Sequence, residues 1–203
     1  MSPGGLILLA SRSPQRRALL ADTGVAFRVA VAGVDEGDDP AANARAKARD
    51  VAVRLGVPAG GAVLGADTEV LHEGRALGKP AGPTEAAAML RALSGRAHVV
   101  RTAICLITAA EEHEVVDDTT VVFRRLDEDL VRWYVAAGEW RDRAGGYAVQ
   151  GSGAVLVARI EGDHTTVVGL PLGALAGLLE RTGLAPWGAP GILAGREIRA
   201  ERR

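Results

Sequence analysis

Apolar positions along this chain fall in short continuous runs separated by stretches of helical period, and that alternation predicts an α/β domain. Residues 6–10 form an apolar run of strand length. Ser13 then supplies a capping hydroxyl with Pro14 at the first helical position, which predicts a helix reaching Thr23 and stopping at Gly24. Residues 27–31 read as a second strand, 34–40 as an acidic loop, and 41–55 as a helix ended by Gly56. A buried strand is predicted at 62–65, followed by a hairpin over 69–77 that turns at Glu73-Gly74. Thr84 is placed as the cap of a helix through 86–93 that ends at Ser94-Gly95. Long strands at 98–108 and 114–124 precede a helix at 127–137 with apolar Leu130, Trp133, Tyr134 and Val135. Strands at 154–160 and 165–168 are joined by a tight turn at Glu161-Gly162-Asp163, and Pro171 opens a last helix ending near Thr182-Gly183. The strands outnumber what a simple doubly wound fold requires and several read as antiparallel, so the expected sheet is mixed. Beyond Leu184 the chain turns to Pro, Gly and Arg without period, which predicts one domain over 1–184 and a tail over 185–203.

Composition narrows the function classes. Hydrophobic residues make up 48% and charged residues 24%, a globular balance rather than a disordered one. Aromatics are only 3% and the formal charge is −1, so neither a base-stacking surface nor a basic face for nucleic acid is expected. The single Cys105 sits in the apolar run Ala103-Ile104-Cys105-Leu106-Ile107, which fits a core residue and excludes an intrachain disulfide. No run approaches the roughly 18 apolar residues of a bilayer span, and no signal peptide is recognisable, so a cytoplasmic protein without membrane contact is expected.

Five segments carry possible chemistry, each with a plain structural alternative. Ala10-Ser11-Arg12-Ser13-Pro14-Gln15-Arg16-Arg17 brings hydroxyls, cations and free N–H groups to a helix start, which suits phosphate but also fits a capped, solvated terminus. It lacks the spacing of a Walker loop. Asp35-Glu36-Gly37-Asp38-Asp39 could offer oxygen ligands to a hard cation or be a solvated acidic turn. Asp67 follows an apolar strand directly, where a carboxylate is costly unless it binds metal, makes hydrogen bonds or moves protons; an Asx-type turn is the alternative. Lys79, between Gly78 and Pro80, could meet a phosphate or face solvent, and Lys47 in an Ala-rich helix is equally open. Gly145-Gly146-Tyr147 through Gln150-Gly151 could admit a flat ligand, with Gln150 offering donor and acceptor to a base edge, or form a turn between strands. The four histidines have no metal-ligand spacing, and no G-x-S-x-G elbow supports Ser–His–Asp chemistry.

Taken in order, Leu9-Ala10-Ser11-Arg12-Ser13-Pro14, Val34-Asp35-Glu36, Leu64-Gly65-Ala66-Asp67-Thr68, Leu77-Gly78-Lys79-Pro80, Leu93-Ser94-Gly95, Ala144-Gly145-Gly146-Tyr147 and Val168-Gly169-Leu170-Pro171-Leu172 resemble the Maf family across residues 5–183. The resemblance implies an elongated mixed sheet flanked by helices, related to inosine triphosphatases, with two lobes and a central cleft. It implies hydrolysis of nucleoside triphosphates to monophosphate and pyrophosphate with a divalent cation (Mg, Mn or Co), a house-cleaning role in nucleotide pools, and a homodimer. By motif, Asp67 resembles the general base and Glu36 a metal-holding residue beside it, while Ser11, Ser13, Arg16, Lys47 and Lys79 resemble triphosphate contacts, with Lys79 in the catalytic set. Three further positions separate subgroups: Arg, Thr and Gln in the dTTP/UTP subgroup, and Trp, Gln and Glu in the 7-methyl-GTP subgroup. Here they are Gln15, Thr68 and Gln150, two of three as in the pyrimidine subgroup, and Arg143 stands where a lysine is usual. The expectation is therefore a dTTP/UTP pyrophosphatase, with 7-methyl-GTP hydrolysis and a nucleotide-binding regulator of cell division as rivals.

Overall fold

A computed structural model describes residues 5–187. In chain order it contains β1 (Ile7–Leu9), α1 (Pro14–Asp22), β2 (Phe27–Val29), α2 (Pro40–Leu55), β3 (Ala62–His72), β4 (Arg75–Leu77) and α3 (Pro83–Leu93). There follow β5 (Ala97–Ile107), β6 (Glu112–Phe123), α4 (Glu128–Ala137), β7 (Val157–Glu161), α5 (His164–Val168) and α6 (Leu172–Arg181). The seven strands are hydrogen-bonded in the order β2-β1-β3-β5-β6-β7, with β4 paired to β3. β1 is parallel to both β2 and β3, whereas β3–β4 and β6–β7 are antiparallel, so the sheet is mixed as expected. Of the predicted tail at 185–203, residues 188–203 lie outside the described residues.

Four local expectations are corrected. The separate strand and hairpin become one strand of 11 residues, β3, and Asp67 lies inside it rather than at its end or in a turn. Polar Asp67, Thr68 and Glu69 interrupt the apolar pattern but not the backbone, because β3 pairs with β1 through Ala62–Leu64 and with β4 through Val70–His72. The Glu73-Gly74 turn forms where expected, both residues taking positive φ. The β-branched run Thr165–Val168, predicted as a strand, belongs to α5. Here Asp163 accepts from the Thr165 N–H and hydroxyl, both at 2.7 Å, and this local cap overrides β propensity. The predicted strand at 154–160 begins only at Val157, because Gly151–Leu156 forms a 3-10 turn. The cap of α3 is Gly82, with Pro83 opening the helix, rather than Thr84.

The chain divides into two compact units, with boundaries inside β3, β5 and β6 and a fourth between α5 and α6. The first comprises the described residues up to Asp67, Thr102–Asp117 and those from Gly169 onward. Its core sets Ala44, Ala48 and Val51 of α2 against Leu8 of β1, Val63 of β3 and Cys105 of β5. Helix and strand touch at Gly65, where a Cβ would stand 2.1 Å from the Ala44 carbonyl oxygen. The second unit, Thr68–Arg101 with Asp118–Val168, has its own core of Val70, Leu90, Leu93, Phe123, Tyr134 and Leu156. Inside it the His98 Nε2 lies 2.7 Å from the Tyr147 hydroxyl, with the Phe123 ring edge-on to both. Among the described residues no helix is long and apolar enough to cross a membrane.

Candidate active site

The first unit gathers most of the polar groups singled out in the sequence. β1 delivers the chain to Ser11, and Ser13 caps α1 by accepting from the Arg16 N–H at 3.3 Å. The Ser13 hydroxyl donates to Gln15 Oε1 at 3.2 Å, and Ser11 Oγ accepts from the Ser13 N–H at 3.2 Å. The Arg16 guanidinium is anchored by Nε to the Gly169 carbonyl at 2.7 Å, with Nη1 3.4 Å from Ser11 Oγ. No acidic residue occupies the first turn of α1, so its N-terminal dipole is not neutralised by its own side chains. Burial lowers the Arg16 pKa, while the charges of Asp67 and Glu36 push it back up.

A second element supplies the cation at the centre. Asp39 caps α2 through the Ala41 N–H, and Pro40 opens the helix. Asn43 and Lys47, four residues apart on the same face, are both buried, each 7% exposed. Lys47 Nζ lies 2.6 Å from Glu36 Oε1 and 2.7 Å from Asp67 Oδ1. A buried ammonium without such partners would cost several kcal/mol, so both carboxylates hold the lysine in place and are in turn offset by it. The second oxygen of Asp67 accepts from Asn43 Nδ2 at 2.9 Å, and the same amide bonds both backbone groups of Gly37 at 2.8 Å. Asn43 was missed in the sequence. The available signal was its spacing from Lys47 on a face otherwise filled by Ala44, Ala48 and Val51.

Ser11, Ser13, Gln15, Arg16, Glu36, Lys47 and Asp67 thus belong to one unit, each joined directly to another member by a hydrogen bond or ion pair: Ser13 with Gln15, Arg16 with Ser11, and Lys47 with Glu36 and Asp67. Thr68, Lys79 and Gln150 belong to the second unit. Within it Thr68 is half-buried, Lys79 is exposed after β4, and Gln150 is exposed at the start of the 3-10 turn. Glu36 and Asp67 present carboxylate oxygens to the Lys47 ammonium between them, and oxygen is the donor type that a hard divalent ion takes. A different group, Cys105, Glu112 and Glu114, also has ligand atoms within 4.8 Å of one another. Glu112 is engaged by Arg49 and Glu114 by Arg45, and burial, reinforced by those two glutamates, pushes the Cys105 thiol up to about 12. That group is an ion-pair network over a protonated thiol.

Comparison with known proteins agrees with the motif order. The Maf-like protein family matches residues 6–182. The chain is 47% identical over 192 residues to the dTTP/UTP pyrophosphatase of Moorella thermoacetica, covering 90% of this chain and 97% of that protein. It is 47% identical over 181 residues to the dTTP/UTP pyrophosphatase of Thermus thermophilus, covering 89% and 96%. The protein of the same name from Pyrococcus furiosus is 42% identical over 184 residues, covering 86% and 94%.

Proposed function

Because this chain belongs to the Maf-like family, we propose that it hydrolyses dTTP and UTP to the nucleoside monophosphate and pyrophosphate. The observation that carries the proposal is the junction of Glu36, Lys47 and Asp67, with Lys47 Nζ within 2.7 Å of both carboxylates. Asp67, fixed by two hydrogen bonds inside a strand, is suited to take the proton from a water attacking the α-phosphorus. Ser11, Ser13, the α1 N-terminus and Arg16 offer donors and positive potential to the triphosphate, and Lys47 adds a buried point charge. Held by Glu36 and Asp67, a divalent cation (Mg, Mn or Co) would supply charge to offset the polyphosphate. Lys79, Thr68 and Gln150 enter the proposal on their motifs, Lys79 toward phosphate and the other two toward the base. Gln15 lacks the charge of the pyrimidine subgroup's arginine and is already bonded to Ser13, which fits a broader range of bases. Action in the cytoplasm as a homodimer, clearing nucleotide pools, completes the reading.

A nucleotide panel with each metal, assayed separately for pyrophosphate and orthophosphate, tests it. Pyrophosphate release from dTTP and UTP, lost on chelation, is expected. Asp67→Asn should lower kcat by about 10²- to 10⁴-fold. Orthophosphate released from the γ position, or nucleotide binding that Asp67→Asn leaves functional without turnover, would replace the enzyme with another activity or with a binding module.

A further inference from the structure

We infer that Asn43 is a positioning residue of the reaction proposed above, tying the loop that carries Glu36 to the carboxylate of Asp67; the inference rests on that reading. The Asn43 amide is 7% exposed and uses both of its N–H donors and its carbonyl oxygen. Its oxygen accepts from the Gly37 N–H at 2.8 Å. Its nitrogen donates to the Gly37 carbonyl at 2.8 Å and to Asp67 Oδ2 at 2.9 Å. Only an amide satisfies this set, because one partner is a donor and two are acceptors. Gly37 directly follows Glu36, so the amide fixes the backbone beside one carboxylate while holding an oxygen of the other. Lys47 joins the same two carboxylates through charge, but an ammonium on a four-carbon stem sets neither their distance nor their orientation. Asn43 sets both. A cation bound by the two carboxylates, and a water activated by Asp67, therefore each depend on this side chain.

The test compares wild type, Asn43→Ala and Asn43→Asp by steady-state kinetics and by Mn²⁺ binding, followed from the electron paramagnetic resonance of free Mn²⁺. Asn43→Asp keeps the shape and the Gly37 N–H bond but turns oxygen toward two acceptors. Loss of a hydrogen bond to a charged group predicts kcat lower by about 10- to 100-fold in Asn43→Ala, with KM for dTTP changed less than about threefold. Mn²⁺ affinity should fall by about tenfold in both variants. The inference is overturned by Asn43→Ala within twofold of wild type in kcat and Mn²⁺ affinity, by full activity of Asn43→Asp, or by a fall in kcat with Mn²⁺ affinity intact. If Asn43→Ala does not fold, the isosteric variant carries the comparison; if neither folds, the residue is structural and the inference fails. Wild type that binds Mn²⁺ but releases no pyrophosphate refutes the proposed function instead, and the Mn²⁺ titration still decides whether Asn43 orders the carboxylates.

Discussion

Single residues differ in how openly their environment is written into the sequence. Asp67 was legible because a carboxylate at the end of the buried run 62–66 demands compensation, and the structure supplies it from Lys47 and Asn43. Lys47 was ambiguous because a helix of alternating alanines and cations reads equally well as solvated. Its burial depends on α2 packing against β3 at Gly65, which the helix's own pattern does not show. Asn43 was invisible for the same reason, since an amide among alanines carries no charge signal. His98 was set aside for lack of ligand spacing, yet its burial has a thermodynamic consequence. Burial, with a contribution from His72, lowers its pKa from 6.5 to about 4. The unfolded chain therefore binds a proton more readily than the folded one, so this contribution to stability is complete above pH 6.5 and is lost as pH falls toward 4. The loss should reach about 2–3 kcal/mol. Urea midpoints at pH 7, 5 and 4 should fall less steeply for His98→Gln than for wild type; parallel curves would assign the acid sensitivity to other groups.

At the scale of elements, some helix starts and stops were legible because they depend on local chemistry: Ser13 caps α1 and Gly56 closes α2 with positive φ. Errors arose where a long-range pairing or a single side chain outvoted the local pattern, as β4 does for the continuity of β3 and Asp163 for α5. The segment around Gln150 follows the second rule. It was read either as a place for a flat ligand or as a Gly-rich turn between strands, and it is held from both sides of Gln150. The Tyr134 hydroxyl accepts from the Ala148 N–H at 2.9 Å, and the Glu139 carboxylate accepts from the Ser152 and Gly153 N–H groups at 3.1 and 3.2 Å. Those amide bonds hold the Glu139 pKa below its ordinary value, the Ser152 contact being the largest cause. Gly151, at φ +63° and placed where a Cβ would stand 2.9 Å from the Glu139 carboxylate, admits no side chain without strain. Since Gln150 is proposed to meet the base, Glu139→Ala should raise KM for dTTP by about three- to tenfold with kcat nearly unchanged, and Glu139→Gln should restore most of it. Equal losses in kcat and KM would mean that the segment does no more than fold.

For the whole molecule, the α/β class and the mixed sheet were legible because alternating apolar runs survive any error in element boundaries. Two lobes were implied by the resemblance and not by the pattern itself, because three of the four boundaries between the units, Asp67/Thr68, Arg101/Thr102 and Asp117/Asp118, lie inside strands where no linker composition marks them. Each unit nevertheless has its own apolar core, and the polar cluster of the first is complete in its electrostatics. The lysine between Glu36 and Asp67 already plays the part of counter-ion, so the native state does not depend on a divalent ion as a zinc finger does. Chelation should abolish turnover while the circular dichroism spectrum and the cooperativity of thermal unfolding stay intact, and activity should return on adding the ion back without any refolding step; an apo-protein that melts or loses helix would refute this. On the metal dependence proposed above, ion supply would act as a throttle: starved of the ion, the cell would hold idle, intact copies that protease and chaperone have no reason to remove.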